Sequence, residues 1–190
     1  MLASAFGLFH GVAAQAAGAV VAPVPAPSAP SIPAGWRLAG NGTFRWWGLA
    51  VYDAALWVAP GFAADAPERS AFVLELHYRR ALAGADIAQR SLQEMRRLDP
   101  LTPEQAQRWL AAMQTAFPDV RAGDRLAGWY RPGQGAVFYA NGRLTAEVAD
   151  AEFARRFFAI WLSARSAAPE LRAALLGLAS PSPLAAGEGG

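Results

Sequence analysis

The hydrophobic period of this chain changes twice between residues 71 and 148, and no all-α or all-β fold accommodates both changes. FVLELHY alternates strictly, so Phe72, Leu74, Leu76 and Tyr78 share one face while Val73, Glu75, His77 and Arg79 share the other. That two-residue period predicts a strand over Ala71–Arg80. The period then lengthens to that of a helix. Asp86 can cap a first helix, with Gln89 at its third position and Ile87, Ser91, Met95 and Leu98 as its stripe. Thr102-Pro103-Glu104-Gln105 combines an N-cap threonine, a first-turn proline and a capping-box glutamine. Ala106, Trp109, Leu110, Met113 and Phe117 follow at helical spacing until Pro118 ends the run.

The short period then returns in Arg125–Arg131 and Ala136–Ala140, joined by a Pro132–Gly135 turn, and in Arg143–Val148. Asn141-Gly142 between the last two is the strongest short hairpin signal a sequence carries. Asp150 caps a further helix bearing Phe153, Phe157, Ile160 and Trp161, and a last helix over Ala168–Leu176 meets Gly177 as its C-cap. Upstream, Arg37–Trp47 and Leu49–Val58 are apolar and β-prone, and Gly40-Asn41-Gly42 reads as a turn because it opens no helix. Strands, helices, a hairpin and helices again make an α+β domain, not alternating βαβ units.

The ends read differently. Leu2–Ala13 is apolar but too short to span a bilayer, and Ala14-Gln15-Ala16 is a signal-peptidase pattern. Residues 1–16 are therefore expected to be a signal peptide without a basic n-region, which implies a periplasmic protein. Residues 17–35 read as a Pro/Ala-rich linker, residues 36–178 as one domain, and residues 179–190 as a disordered tail.

Function is bounded mostly by exclusion. The chain has no cysteine, so disulfides and thiolate chemistry are out. Its 17 basic residues are all arginine, never more than two in a row and interleaved with acids, which is not the concentrated basic face of a nucleic-acid binder. No P-loop, dinucleotide fingerprint, nucleophile elbow or metal-ligand spacing occurs, so no cofactor is expected. The domain's single histidine, His77, sits within a strand, where a structural role is the default.

Several segments in this order are similar to the bacterial branch of the chalcone isomerase-like superfamily. They are GTFR with VYDAALW, then FVLELHYRR leading into IAQRSLQEM, and later GDRLAGWYRPGQGAVFYANGRL, FARRFFAIWLS and a closing LLG. The resemblance covers about Trp36 to Gly177 and implies an open-faced β-sandwich, an antiparallel sheet with a helical layer. In the plant enzymes of that superfamily an arginine, a threonine, a tyrosine and an asparagine polarise the substrate ketone and order water. Arg45 resembles the arginine, and Ala83-Gly84 resembles the turn before the tyrosine. Counted from there, Ile87 stands where the tyrosine would be and Glu94 where the asparagine would be. The resemblance thus implies a protein without isomerase activity. The fatty-acid-binding relatives keep an arginine and a tyrosine for the carboxylate, a pair that Arg45 and Tyr52 match.

Three readings follow. In the first, the protein binds a lipophilic, fatty-acid-like molecule, Arg45 making a charge-assisted contact to the acidic head and Tyr52 adding a hydroxyl. In the second it is an intramolecular lyase or isomerase with His77 or Tyr78 as acid or base. In the third it is an interaction module whose cleft is filled by its own side chains, with Arg45 paired to Glu75 or Glu94, or laid across Trp46 or Trp47. Residues 45 and 52 point to opposite faces of an unbroken strand, so the ligand pair needs a bulge or turn between them, for which Gly48 is the natural place.

Overall fold

The computed structural model describes residues 32–178. The leader, the tail and all but the end of the linker lie outside them. Residues 33–36 make a turn, closed by Trp36 N–H donating to Pro33 O at 3.1 Å. Six strands follow in one antiparallel meander: β1 (Arg37–Trp46), β2 (Leu49–Val58), β3 (Phe72–Tyr78), β4 (Arg125–Arg131), β5 (Gly135–Ala140) and β6 (Arg143–Val148). The helices are α1 (Gly84–Leu98) and α2 (Pro103–Ala116) between β3 and β4, then α3 (Ala151–Leu162) and α4 (Pro169–Leu175) after β6. No helix among the described residues is long and apolar enough to cross a membrane.

The register decides which face is covered. Leu56 lies opposite Leu74, Leu74 opposite Gly128, and Gly128 opposite Phe138, so these four share a face across β2 to β5. All the helices pack on that face. The alternation in FVLELHY is therefore read correctly: Phe72, Leu74, Leu76 and Tyr78 are buried under the helices, while Glu75 and His77 are half-buried on the open face. Val73 is buried on that open face too, where β4 presents Trp129 beside it. Trp36 packs edge-on against Trp129, with ring centroids 5.8 Å apart.

Several local expectations hold. The Thr102 hydroxyl accepts from Gln105 N–H and the Gln105 side chain accepts from Thr102 N–H, a complete capping box. Asn141 and Gly142 have φ of 48° and 80°, the left-handed pair of a tight two-residue hairpin. The Asp150 carboxylate accepts from Phe153 N–H at 2.9 Å and from the Trp109 indole at 2.9 Å. One residue thereby starts α3 and ties it to α2.

Two expectations are corrected. The N-cap of α1 is Ala83, not Asp86, and the orphan N–H of Gly84 is satisfied instead by Asp119 Oδ1 at 2.8 Å. A distant carboxylate caps this helix, which local sequence reading cannot find. Gly40-Asn41-Gly42 is not a turn but lies inside β1, on whose covered face α4 sits. A Cβ on Gly40 would stand 1.9 Å from the carbonyl oxygen of Ala174, and one on Gly42 would stand 3.0 Å from Leu171. The glycines admit a helix backbone against a strand.

Gly40→Ala is expected to lower stability by about 3 kcal/mol, the upper end of ordinary overpacking costs, because the obstacle is backbone. Urea unfolding followed by circular dichroism reads it directly. Burial alone would raise the Asp150 carboxyl, but donation from Phe153 N–H, the Trp109 indole and Arg108 outweighs this and holds it below the ordinary range. A depressed folded value means the contribution is present above the unfolded value of about 4 and is lost as pH falls through the folded one. Asp150→Ala should therefore cost about 2 kcal/mol at neutral pH, with the gap to wild type narrowing as pH falls below about 4.

Candidate functional site

The first hairpin builds one wall of the site. Its two-residue turn is Trp47-Gly48, with φ of 50° and 79°. Phe44 lies opposite Tyr52, but Arg45 lies opposite Ala50, so Val51 is an extra residue and β2 bulges there. The turn expected at Gly48 is present, and a bulge at Val51 accompanies it. Phe44, Arg45, Val51 and Tyr52 all border the same cavity.

That cavity has a volume of about 780 Å³ and lies between the sheet and the helices. Tyr52, Leu74, Leu76, Tyr78 and Leu126 come from the sheet, and Ile87, Ser91 and Glu94 from α1. Phe157, Phe158 and Trp161 come from α3, and Leu171 from α4. The space exists because α1 packs mainly on α2 and α3 rather than on the sheet. A cleft filled by its own side chains, the third reading, is not what forms.

Its polar groups are few and gathered near Tyr52. The Trp161 indole donates to the Tyr52 hydroxyl at 3.0 Å, leaving the phenolic proton free to donate onward. Tyr52 stacks on Phe44, centroids 5.1 Å apart, and meets Tyr78 edge-on at 5.7 Å. Burial pushes its hydroxyl well above the ordinary phenol range; the indole bond offsets this in part, Glu94 adds to it and Arg90 opposes it. Tyr78 is likewise raised, by burial and then by Tyr52. Both tyrosines therefore stay neutral donors at any physiological pH.

Arg45 is placed differently from the sequence expectation. It is exposed at the cavity rim and donates through Nη1 to Gly48 O at 3.2 Å, bridging its own hairpin turn. It pairs with neither Glu75 nor Glu94. Glu75 faces Arg125 at 3.7 Å on the open side of the sheet, and Glu94 is held by Arg90 and Arg97, each at 2.7 Å. The cation over Trp46 is also Arg90, 5.1 Å from the ring centroid. Arg90 is the site residue that sequence reasoning missed. Its signal was the spacing Ile87, Arg90, Ser91, Glu94, which puts all four on one face of α1.

Trp161, one of the apolar residues at helical spacing after Asp150, is buried and also supplies the hydrogen bond to Tyr52. His77 borders a shallow groove on the other face of the sheet with Thr43, Asp53 and Glu75. There the Asp53 carboxylate accepts from Thr43 Oγ1 at 2.6 Å and from Arg79 Nε at 2.7 Å. No cluster among the described residues could hold a metal ion.

The tyrosines make a prediction at high pH. A phenol whose folded value is raised contributes stability that is fully present below its unfolded value of about 10 and lost as pH rises above it. The Tyr78 hydroxyl makes no hydrogen bond among the described residues, so Tyr78→Phe should fold as wild type does at neutral pH. Urea titrations at about pH 9 and pH 11 should show the variant losing less stability between them.

Residues 32–177 match a sequence profile described as chalcone isomerase-like. An uncharacterized protein of Haemophilus influenzae is 29% identical over 142 residues, which are 75% of this chain and 68% of that protein. The crystal structure of the fatty-acid binding protein AtFAP1 of Arabidopsis thaliana aligns with a TM-score of 0.57 at 13% identity, over 80% of this chain and 90% of that one. At that identity the likeness is one of fold. The profile spans the whole described sheet and all four helices, and the chain belongs to the chalcone isomerase-like family.

Proposed function

We propose that this protein holds a lipophilic acid of the fatty-acid class in the cavity and carries out no chemistry on it. The observation that carries this reading is an apolar space of about 780 Å³ whose polar groups are a neutral hydroxyl donor and nearby guanidinium groups. The size is that of an ordinary small-molecule site, and so is the division into many apolar and few polar walls. The acyl chain lies among Leu74, Leu76, Leu126, Phe157 and Phe158. The carboxylate takes the free proton of Tyr52 and the charge of Arg90, and Arg45 closes from the rim by giving up its bond to Gly48 O.

Two features speak against catalysis. Ile87 and Glu94 line the cavity where the enzymes of the superfamily are expected to carry a phenol and an amide. The candidates named for acid or base chemistry do not fit the task either. His77 faces the opposite side of the sheet, and Tyr78 has a hydroxyl raised too far to give or take a proton near neutrality. Export to the periplasm belongs to the same proposal and rests on the leader-like residues 1–16; fractionation of cells expressing the full chain tests it.

Displacement of a fluorescent fatty-acid analogue tests the ligand class. Long-chain acids should compete, and alcohols of equal length should compete at least tenfold more weakly. Arg90→Ala and Tyr52→Phe should each weaken the acid about tenfold, as loss of a hydrogen bond to a charged group does, and Arg45→Ala only a few-fold. Equal binding of acid and alcohol would remove the charged anchor from the proposal. No binding at any chain length would remove the proposal itself.

A further inference from the structure

Among the described residues, two tight hairpin turns share the same left-handed geometry, and they are filled by different chemistry. Asn141-Gly142 uses the residues that geometry prefers, whereas the first turn places Trp47 at φ 50°. A bulky residue there is strained. Within the protein Trp47 meets Trp46 edge-on, ring centroids 6.4 Å apart, yet it stays 89% exposed. Trp46 and Leu49 lie opposite each other in the register and are 50% and 60% exposed. The tip thus presents two tryptophans and a leucine to the outside, and between Phe44 and Tyr52 its only charge is Arg45.

Its position bears on the cavity. Arg45 and Trp46 border the cavity, and Arg90, which also lines it, lies over the Trp46 ring. We propose that this hairpin tip is a membrane-docking wedge that seats the cavity mouth on the headgroup layer of a lipid bilayer. Tryptophan suits that layer because its ring is apolar and its indole N–H is not. Arg45 complements lipid phosphates. The exposed apolar surface of the tip is at most about 500 Å², taking roughly 250 Å² for a whole tryptophan. That falls short of the ~800 Å² per partner of a stable protein interface, yet a few aromatic side chains suffice for reversible interfacial binding. Docking is independent of any ligand; passage of a lipophilic acid between bilayer and cavity rests on the function proposed above.

The test uses the full chain and vesicles of phosphatidylcholine containing phosphatidylglycerol, with brominated acyl chains as quenchers. Wild type should float with the vesicles, with part of its tryptophan fluorescence quenched. Trp47→Asn combined with Leu49→Ser should reduce binding at least tenfold. The asparagine relieves the strained position, so the variant should melt no lower than wild type, where a purely structural role for Trp47 predicts the reverse. Its affinity for a fluorescent fatty-acid analogue in vesicle-free solution should be unchanged, which separates failure of docking from failure of ligand binding. The proposal is overturned by wild type that stays in solution, or by a variant that floats equally well. A concentration-dependent dimer abolished by the same substitutions, without vesicle binding, also overturns it and makes the tip a self-association surface.

Discussion

The architecture depends on how closely helix backbones approach the sheet, and glycines decide where they can. Gly40 and Gly42 let α4 lie on β1, and a Cβ on Gly128 would stand 2.8 Å from the ring of Phe158, which seats α3 on β4. α1 has no such landing site on the sheet. It is held at its start instead, where a Cβ on Gly84 would stand 2.0 Å from Phe117 O, and by packing on α2 and α3. Close contact at one side of the sheet and little beneath α1 leaves a space that the core side chains do not fill. The cavity is a consequence of unequal helix seating, so its volume is set by positions with no side chain.

That space is polar at few points, and those points are coupled. The Trp161 indole, donating to Tyr52, comes from the same α3 that Gly128 admits. Glu94 is only 9% exposed, and its charge is countered by Arg90 and Arg97 rather than by anything from the sheet. The pairs are made within α1 at spacings of three and four residues, so the helix carries its own compensation for a carboxylate beside an apolar cleft. A ligand acid arriving there meets a group of three charges that sums to one positive charge, together with two phenols that remain protonated.

What was legible in the sequence follows the range of the interactions involved. Strand alternation in FVLELHY, the capping box at Thr102 and the Asn141-Gly142 turn are encoded within a few residues, and each is found where it was read. The start of α1 was misplaced because its cap comes from Asp119, which is 35 residues away. Gly40 and Gly42 were misread because the reason for them, α4, is encoded at the far end of the domain. The need for a turn or a bulge between residues 45 and 52 could be deduced from parity alone. That the bulge falls at Val51 and leaves Arg45 at the rim could not, since it depends on pairing across the hairpin. Arg90 escaped notice because an arginine on a helix reads as solvated until the opposing wall is known.

The first hairpin carries both a cavity wall and an exposed tip. Across a regular two-residue hairpin Tyr52 would share a face with Arg45, but the extra residue Val51 shifts the ladder so that Tyr52 lies opposite Phe44. The bulge also bends and twists β2, and Arg45 stands at the cavity rim beside this pair. Beyond the bulge only four residues separate Arg45 from Ala50 around the turn, too few to form a core of their own. The tip can therefore be apolar without weakening the core, since nothing in the core rests on it. Its base, through Phe44 and Tyr52, is fixed by aromatic stacking and the Trp161 bond. A rigid base and an unsupported aromatic tip on one element place Trp47 outside the fold while holding it in a fixed relation to the cavity mouth.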